Sequence, residues 1–243
     1  MTEAMELYRF RTPPSRCSYL PEETSSLEYS VRDTIEPDRY EALLERGWRR
    51  HGRHFFRPAC PSCRKCRSLR VDVARFTPSK SQRRAVRKNA DIEWELAALA
   101  ATADHVRLYN AWHADMHVRR GWRDDRITVE DYRDVFLAGR WSFAREIRYV
   151  RRGQLVGVGL VDVLPSAFSS VYFFHDPAWR TAAPGTFSIL QEIELARQSD
   201  RRWLYLGYWI AECQSMAYKA NFGPHELLEE YVADDRIAEW TGV

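Results

Sequence analysis

Residues Ser169–Leu206 read SSVYFFHDPAWRTAAPGTFSILQEIELARQSDRRWLYL, and their order decides the fold. The opening SSVYFF is rich in aromatic and β-branched residues, as strands are. His175-Asp176-Pro177 then leads into Arg180-Thr-Ala-Ala-Pro-Gly185, a turn of mostly small residues, and a helix is expected over Thr186–Gln198. Trp203–Leu206 returns to a strand pattern. In such a strand–loop–helix–strand unit the small-residue turn meets a helix N-terminus, whose free backbone N–H groups bind phosphate. Pro184 removes one of those donors. The same residues also suit an ordinary strand-to-helix loop.

Working outward, Ser142–Val150 and Gln154–Leu164 form a hairpin around Arg151-Arg152-Gly153. Helical patterns cover 103–119 and 129–138, the second opened by Thr128 with Asp131 three residues on. A short helix around Ser215–Ala220 and a strand near Leu227–Val232 close the chain. Upstream, the first 35 residues look irregular, with Pro13, Pro14 and Pro21. Pro37–Arg46 reads as a helix ended by Gly47, and Trp48–Arg50 with Arg53–Arg57 as a hairpin around His51-Gly52. Leu69–Val73 alternates like a half-buried strand, and Ser79 with Gln82 forms a capping box. The helix that follows puts Lys80, Arg84, Arg87 and Lys88 on one face. The fold class is mixed α/β, of the α+β kind. Composition changes near residue 90, dividing a basic, cysteine-containing region (1–90) from the rest (91–243).

The chain has 243 residues, 45% hydrophobic and 29% charged, an ordinary globular composition. Its longest apolar stretch, Leu155–Leu164, is broken by Asp162 and too short to span a bilayer. No signal-peptide pattern opens the sequence, and five cysteines, an odd number, do not suggest a secreted disulfide scaffold. A cytoplasmic, membrane-free protein is expected. The net charge of +3 conceals a segment, Arg46–Lys88, with 15 Lys or Arg against the single acid Asp72. Such asymmetry suits a polyanionic partner, most often nucleic acid; a merely solvated basic face is the bland alternative.

Cys60, Cys63 and Cys66 form C-x-x-C-x-x-C, and Cys17 lies upstream. Four thiolates of this spacing suit zinc or an iron–sulfur cluster, with His51 or His54 able to replace one; a loop packed by small buried thiols is the alternative. The loop Arg180–Gly185 approximates the R-x-x-G-x-G/A turn of GNAT acyltransferases, with Ala183 in place of the first Gly and Pro184 impairing a fit to the CoA pyrophosphate. Leu204–Ile210 reads as a strand running into Gly207 and the aromatics Tyr208 and Trp209, followed by a short helix bearing Lys219.

Together these motifs resemble the aminoacyl-tRNA–protein transferases, in their bacterial branch. The matching residues are Cys17-Ser-Tyr-Leu20, Gly47-Trp-Arg-Arg-x-Gly52, Arg57-Pro-x-Cys60-x-x-Cys63-x-x-Cys66, Leu69-Arg-Val71, Phe76-x-Pro-Ser-Lys-Ser-Gln-Arg83, Phe174-x-Asp-Pro177, Tyr205-Leu-Gly-Tyr208 and Met216-x-Tyr-Lys219. Thr181–Pro184 departs from the pattern, where something like Ser-Leu is expected before Gly185.

The resemblance implies a GNAT-like transferase domain joined to a smaller cysteine-bearing region. It also implies transfer of leucine from Leu-tRNA to proteins beginning with Asp or Glu, marking them for degradation, with no CoA. Asp176, Tyr205, Tyr208 and Lys219 are the candidate catalytic residues. Lys80, Arg83, Arg84, Arg87, Lys88 and Gly185 are assigned to tRNA, and Tyr205, Tyr208 and Trp209 to its terminal adenosine. Arg49, Arg50, Arg67 and Arg70 are assigned to the acidic acceptor, since a guanidinium holds a carboxylate through two bonds; tRNA phosphates are the other use for the same four. Arginyl transfer, an acetyl-CoA-dependent GNAT and a zinc-ribbon nucleic-acid module are the competing readings.

Overall fold

The computed structural model describes residues 6–243. Strands Glu6–Arg11 (β1), Ser15–Arg16 (β2), Thr24–Ser25 (β3) and Leu27–Arg32 (β4) precede helix Pro37–Glu45 (α1), and the hairpin Arg49–His51 (β5) and His54–Pro58 (β6) follows it. One antiparallel sheet has the order β1-β4-β6-β5, while β2 and β3 form a two-residue ladder. The first 35 residues, expected to be irregular, thus hold four strands, two of them in the four-stranded sheet. β1 is exposed along its length, so burial imprints no alternation on it. It is held by Phe10 stacked on Tyr29, ring centroids 5.1 Å apart, and by Arg32 donating to Glu6.

The remaining elements are Arg67–Asp72 (β7), Lys80–Lys88 (α2), Glu93–Ala98 (β8), Ala103–Arg120 (α3), Val129–Tyr132 (α4), Ala144–Arg151 (β9), Gln154–Val163 (β10), Ala167–His175 (β11), Pro184–Gln198 (α5), Trp203–Trp209 (β12), Gln214–Ala217 (α6), His225–Leu228 (β13) and Trp240–Gly242 (β14). They build an eight-stranded sheet of order β14-β13-β7-β12-β11-β10-β9-β8. The expected hairpin and both strands of the deciding stretch lie in it, with α5 packed against β11 and β12. The helix expected over 129–138 instead gives way at Arg133 to a π-helical turn.

One face of the sheet is covered by α5 around Ile189, Leu190, Ile193, Leu69 and Leu204, and α2 packs against α5. The other carries α1 and the N-terminal sheet around Tyr40, Trp48, Phe55 and Trp203, and beside them α3 around Leu108, Tyr132 and Phe174. β7 belongs to the basic region yet pairs with β12 on one side and β13 on the other. The break near residue 90 is therefore one of composition, and hydrogen bonding runs across it.

β11 and β12 are parallel neighbours, and parallel neighbours need a crossover, which α5 supplies. They pair only from Ala167 to Ser169 against Trp203 to Tyr205, then part. This parting positions the site.

Candidate active site where two parallel strands part

Strands that separate leave backbone groups unpaired on both inner edges, and a buried group of that kind requires another partner. Arg49, on β5, meets the requirement. Its guanidinium donates to Ser169 Oγ at 3.1 Å and to the Ser170 carbonyl. On the facing strand Gly207 has φ +78, and a Cβ there would stand 3.1 Å from the Arg49 guanidinium, so both the backbone conformation and the close approach call for glycine. Lys219 closes the same place from the C-terminal side, its Nζ donating to the Tyr208 carbonyl at 2.7 Å. Burial, and next the charge of Arg49, pull its ammonium down to about 7.

From the α5 side comes Glu192, 1% exposed. Ser188 Oγ donates to its Oε1 at 3.3 Å and Ser170 Oγ at 3.4 Å, while its Oε2 has no partner among the described residues. Burial pushes its carboxyl up to about 7, against those hydrogen bonds and the pull of Arg49. Tyr218, next in sequence to Lys219, is 40% exposed, and its hydroxyl is raised to about 12 by burial and then by Glu192. The sequence reading passed over Glu192 and quoted Tyr218 only within Met216-x-Tyr-Lys219, with no role. Glu192 left a signal: Ile189, Glu192, Ile193 and Ala196 share one helix face, an acid on an otherwise apolar stripe.

Of the four expected catalytic residues, only Lys219 has its side chain here. Asp176 caps the 3-10 turn Pro177–Ala182, accepting from Ala178 N at 2.8 Å. Tyr205 is buried, and its hydroxyl accepts from Arg70 at 3.2 Å. Tyr208 is buried too, donating to the Phe56 carbonyl at 3.0 Å and so tying β6 to the sheet. Neither tyrosine presents a face for an adenine. Trp209 is half-buried, its indole N–H donating to the Ala217 carbonyl at 3.2 Å.

The four acceptor arginines separate likewise. Arg50 is buried in a two-bond pair with the fully buried Asp162, and also donates to the Gly52 carbonyl at 3.0 Å. Arg70 holds Glu226 through two bonds of 2.9 and 2.7 Å and is sandwiched between Trp203 and Trp240, 4.1 and 4.2 Å from the ring centroids. These two are structural, because their donors are spent inside the protein. Arg67 donates to the Leu228 carbonyl and pairs with the exposed Glu229 at 3.1 Å. Arg49 alone of the four lines the parting.

The tRNA-assigned residues do converge. Ser79 caps α2 through the expected box, with Gln82 N to Ser79 Oγ at 3.3 Å and Ser79 N to Gln82 Oε1 at 2.7 Å. Lys80, Arg83, Arg84, Arg87 and Lys88 are exposed. The end of α2 reaches the small-residue turn: Lys88 donates to the Thr181 carbonyl at 3.3 Å and Asn89 to the Ala182 carbonyl at 2.8 Å. There α5 starts at Pro184, with Ala183 in the left-handed region and no side-chain cap. A side chain at Gly185 would meet nothing within 4 Å, so the first turn of α5 is open beside the basic helix.

All five cysteines are free thiols. Burial, with Cys60, Cys17, Cys63 and Cys213 around it, pushes the Cys66 thiol up to about 12. Four thiols are the right donors for zinc or an iron–sulfur cluster. Among the described residues, however, no three Cys, His, Asp or Glu side chains stand close enough to hold an ion. Binding one requires Cys17, Cys60, Cys63 and Cys66 to draw together. Cys60, Cys63 and Cys66 instead form one wall of a groove of about 790 Å³ that Arg11, Arg57, Arg64, Arg67 and Tyr231 also line.

Comparison with known proteins agrees with this anatomy. Residues 15–84 match the family described as arginine-tRNA-protein transferase, N terminus, and residues 104–229 match its C terminus. The chain is 37% identical over 225 residues to an aspartate/glutamate leucyltransferase of Helicobacter hepaticus, covering 93% of each chain. It is 34% identical over 220 residues to the Campylobacter jejuni enzyme of the same name, covering 90% of this chain and 92% of that one. Against the Chromohalobacter salexigens enzyme, also of that name, identity is 38% over 227 residues, with 92% and 91% covered. Among solved structures, FemX superposes over 93% of this chain and 88% of its own with a TM-score of 0.53 at 8% identity, a likeness of fold alone. That fold is GNAT-like.

Proposed function

The chain belongs to the arginine-tRNA-protein transferase family, and from that premise we propose that it transfers leucine from Leu-tRNA to the N-terminal amine of proteins beginning with Asp or Glu. The observation that carries the reading is the match, across nine-tenths of both chains, to enzymes named for that transfer. The added leucine marks the acceptor for degradation. Zinc or an iron–sulfur cluster at the four thiols is a structural accessory in this reading, and no step passes through it. No described helix is long and apolar enough to cross a membrane.

The chemistry is attack by an amine on an ester carbon that tRNA has already activated, so positioning and proton removal are the main requirements. The acceptor strand of tRNA runs over Lys80, Arg84, Arg87 and Lys88, with a phosphate at the open first turn of α5 by Gly185. That path brings the aminoacyl ester to the parting of β11 and β12. Lys219 and Arg49 are the cations there, suited to a tetrahedral oxyanion or, for Arg49, to the acceptor carboxylate. Arg49 also fills the parting from the opposite face, and with Pro184 in the turn it disfavours a CoA-dependent reaction. Incubating the protein with labelled Leu-tRNA or Arg-tRNA and peptides beginning Asp, Glu, Arg or Ala tests the reading. Leucine on the Asp and Glu peptides alone is expected; transfer from Arg-tRNA but not Leu-tRNA overturns it.

A further inference from the structure

Amide formation from an ester is a balanced exchange: a C–N bond forms, the C–O bond to the ribose breaks, and one proton leaves nitrogen and ends on the ribose oxygen. At neutral pH an α-amine is in good part ammonium, its ordinary pKa being about 7.7–8.0. A second proton must therefore be taken from it before attack. Of the groups described so far at the parting, Arg49 is a fixed cation, and Lys219, though drawn down to about 7, is engaged with the Tyr208 carbonyl.

We propose that Tyr218 and Glu192 are the proton path of the transfer, Tyr218 touching the reacting amine and Glu192 behind it receiving the proton. Glu192 has the free valence for this. Its Oε1 accepts from Ser170 and Ser188, while Oε2 is buried and unpartnered among the described residues, a costly arrangement for a merely structural acid. Tyr218, beside Lys219 in sequence, is 40% exposed and lies within electrostatic reach of Glu192. The hydroxyl keeps its own proton at neutral pH, so it can pass one inward while taking another, and return one to the ribose oxygen as the ester bond breaks.

The groups facing Glu192 come from every neighbouring element. They are Ser170 on β11, Ser188 on α5, Tyr149 on β9 (whose hydroxyl donates to Ser188 Oγ at 3.0 Å), Arg49 on β5, and Tyr218 after α6. Arg49 is the only one charged at neutral pH. Burial outweighs it, leaving the carboxyl near 7, where giving and taking a proton are comparably easy.

The proposal rests on the transfer reading, so each variant is compared with wild type using whichever aminoacyl-tRNA the wild type accepts. Failure of Leu-tRNA in wild type then counts against the donor assignment, and the path is judged separately. Glu192→Gln keeps the size and the hydrogen bonds from the serines but exchanges no proton; Tyr218→Phe removes only the hydroxyl. Single-turnover transfer is expected to fall about a hundredfold in each, with the acid limb of the pH–rate profile displaced. The double variant is expected to be no slower than the worse single one, and aminoacyl-tRNA affinity and melting temperature no lower than in wild type. A wild-type rate and profile in Glu192→Gln overturns the proposal. So does a slow variant whose pH profile is unmoved and whose tRNA affinity or melting temperature has dropped, since that pattern marks a packing role.

Discussion

Between Arg46 and Arg70 most cations of the basic segment are paired with acids of the protein, although Arg64 and Lys65 remain exposed; between Arg75 and Lys88 they face water unpaired. In the first part Arg50, Arg53, Arg57, Lys65, Arg67 and Arg70 pair with Asp162, Asp33, Glu28, Glu23, Glu229 and Glu226. Those acids come from both ends of the chain and from the sheet, so the pairs fasten the N-terminal region to what surrounds it. In the second part none of Arg75, Lys80, Arg83, Arg84, Arg87 and Lys88 has an ion pair among the described residues. A composition count cannot tell these parts apart. A charge compensated locally is glue, whereas one left uncompensated on a rigid helix is a binding surface.

The contrast is sharpest at Arg50. Arg50→Ala leaves Asp162 buried and unpaired, and loss of a partner from such a pair costs about 3–5 kcal/mol. Denaturant unfolding measures this, and a loss under about 1 kcal/mol places Arg50 with the outward group instead. Next comes reversal of Lys80, Arg84 and Arg87 to Glu. The slope of log K for tRNA against log salt is expected to shrink by roughly one unit per lost phosphate contact, with stability unchanged. Unaltered tRNA binding removes α2 from the interface and breaks the comparison. Arg67 sits between the two classes, since its partner Glu229 is exposed. Arg67→Ala is expected to cost at most about 1 kcal/mol of stability while weakening use of Asp- and Glu-starting peptides several-fold, read as KM at saturating tRNA. The smallest effect belongs to Ser79→Ala, which removes the cap that fixes the first turn of α2. It should cost about 1 kcal/mol and leave the salt slope in place, because the charges remain.

Local signals carried far in the sequence. The capping box at Ser79, the hairpin at Gly153 and the crossover through α5 each depend on residues a few positions apart, and each is in the structure. Among the missed strands β1 and β8 are edge elements, β1 wholly exposed and β8 nearly so, and an edge strand is specified by its neighbour rather than by a buried face of its own. β4 is interior to its sheet, but its buried residues Ser30, Val31 and Arg32 are consecutive and print no alternation. The site was legible in residue types and less so in roles. Asp176, Tyr205 and Tyr208 belong to distinctive motifs because they cap, brace and clamp, tasks that constrain sequence as strongly as catalysis does. Arg50 and Arg70 share the motif with Arg49, and only the three-dimensional positions of Asp162 and Glu226 reveal which guanidinium is free of a carboxylate. Glu192 carries no motif at all; its meaning comes from the parting of two strands to which it does not belong.

The place of β7 between β12 and β13 has a consequence for how the polypeptide matures. Arg70 on β7 lies 135 residues from Tyr205 and 156 from Glu226, its partners in space. A strand with such distant neighbours waits, as the chain leaves the ribosome, until nearly everything after it has been made. Loop closure over that distance must precede any gain from pairing, which marks a slow folder with a long-lived, open-edged precursor. Cutting the gene after Ala90 gives a first piece whose β7 lacks both pairing partners and a second piece whose sheet has a gap where β7 belongs. Neither should fold alone, and the two should regain transferase activity only when made together.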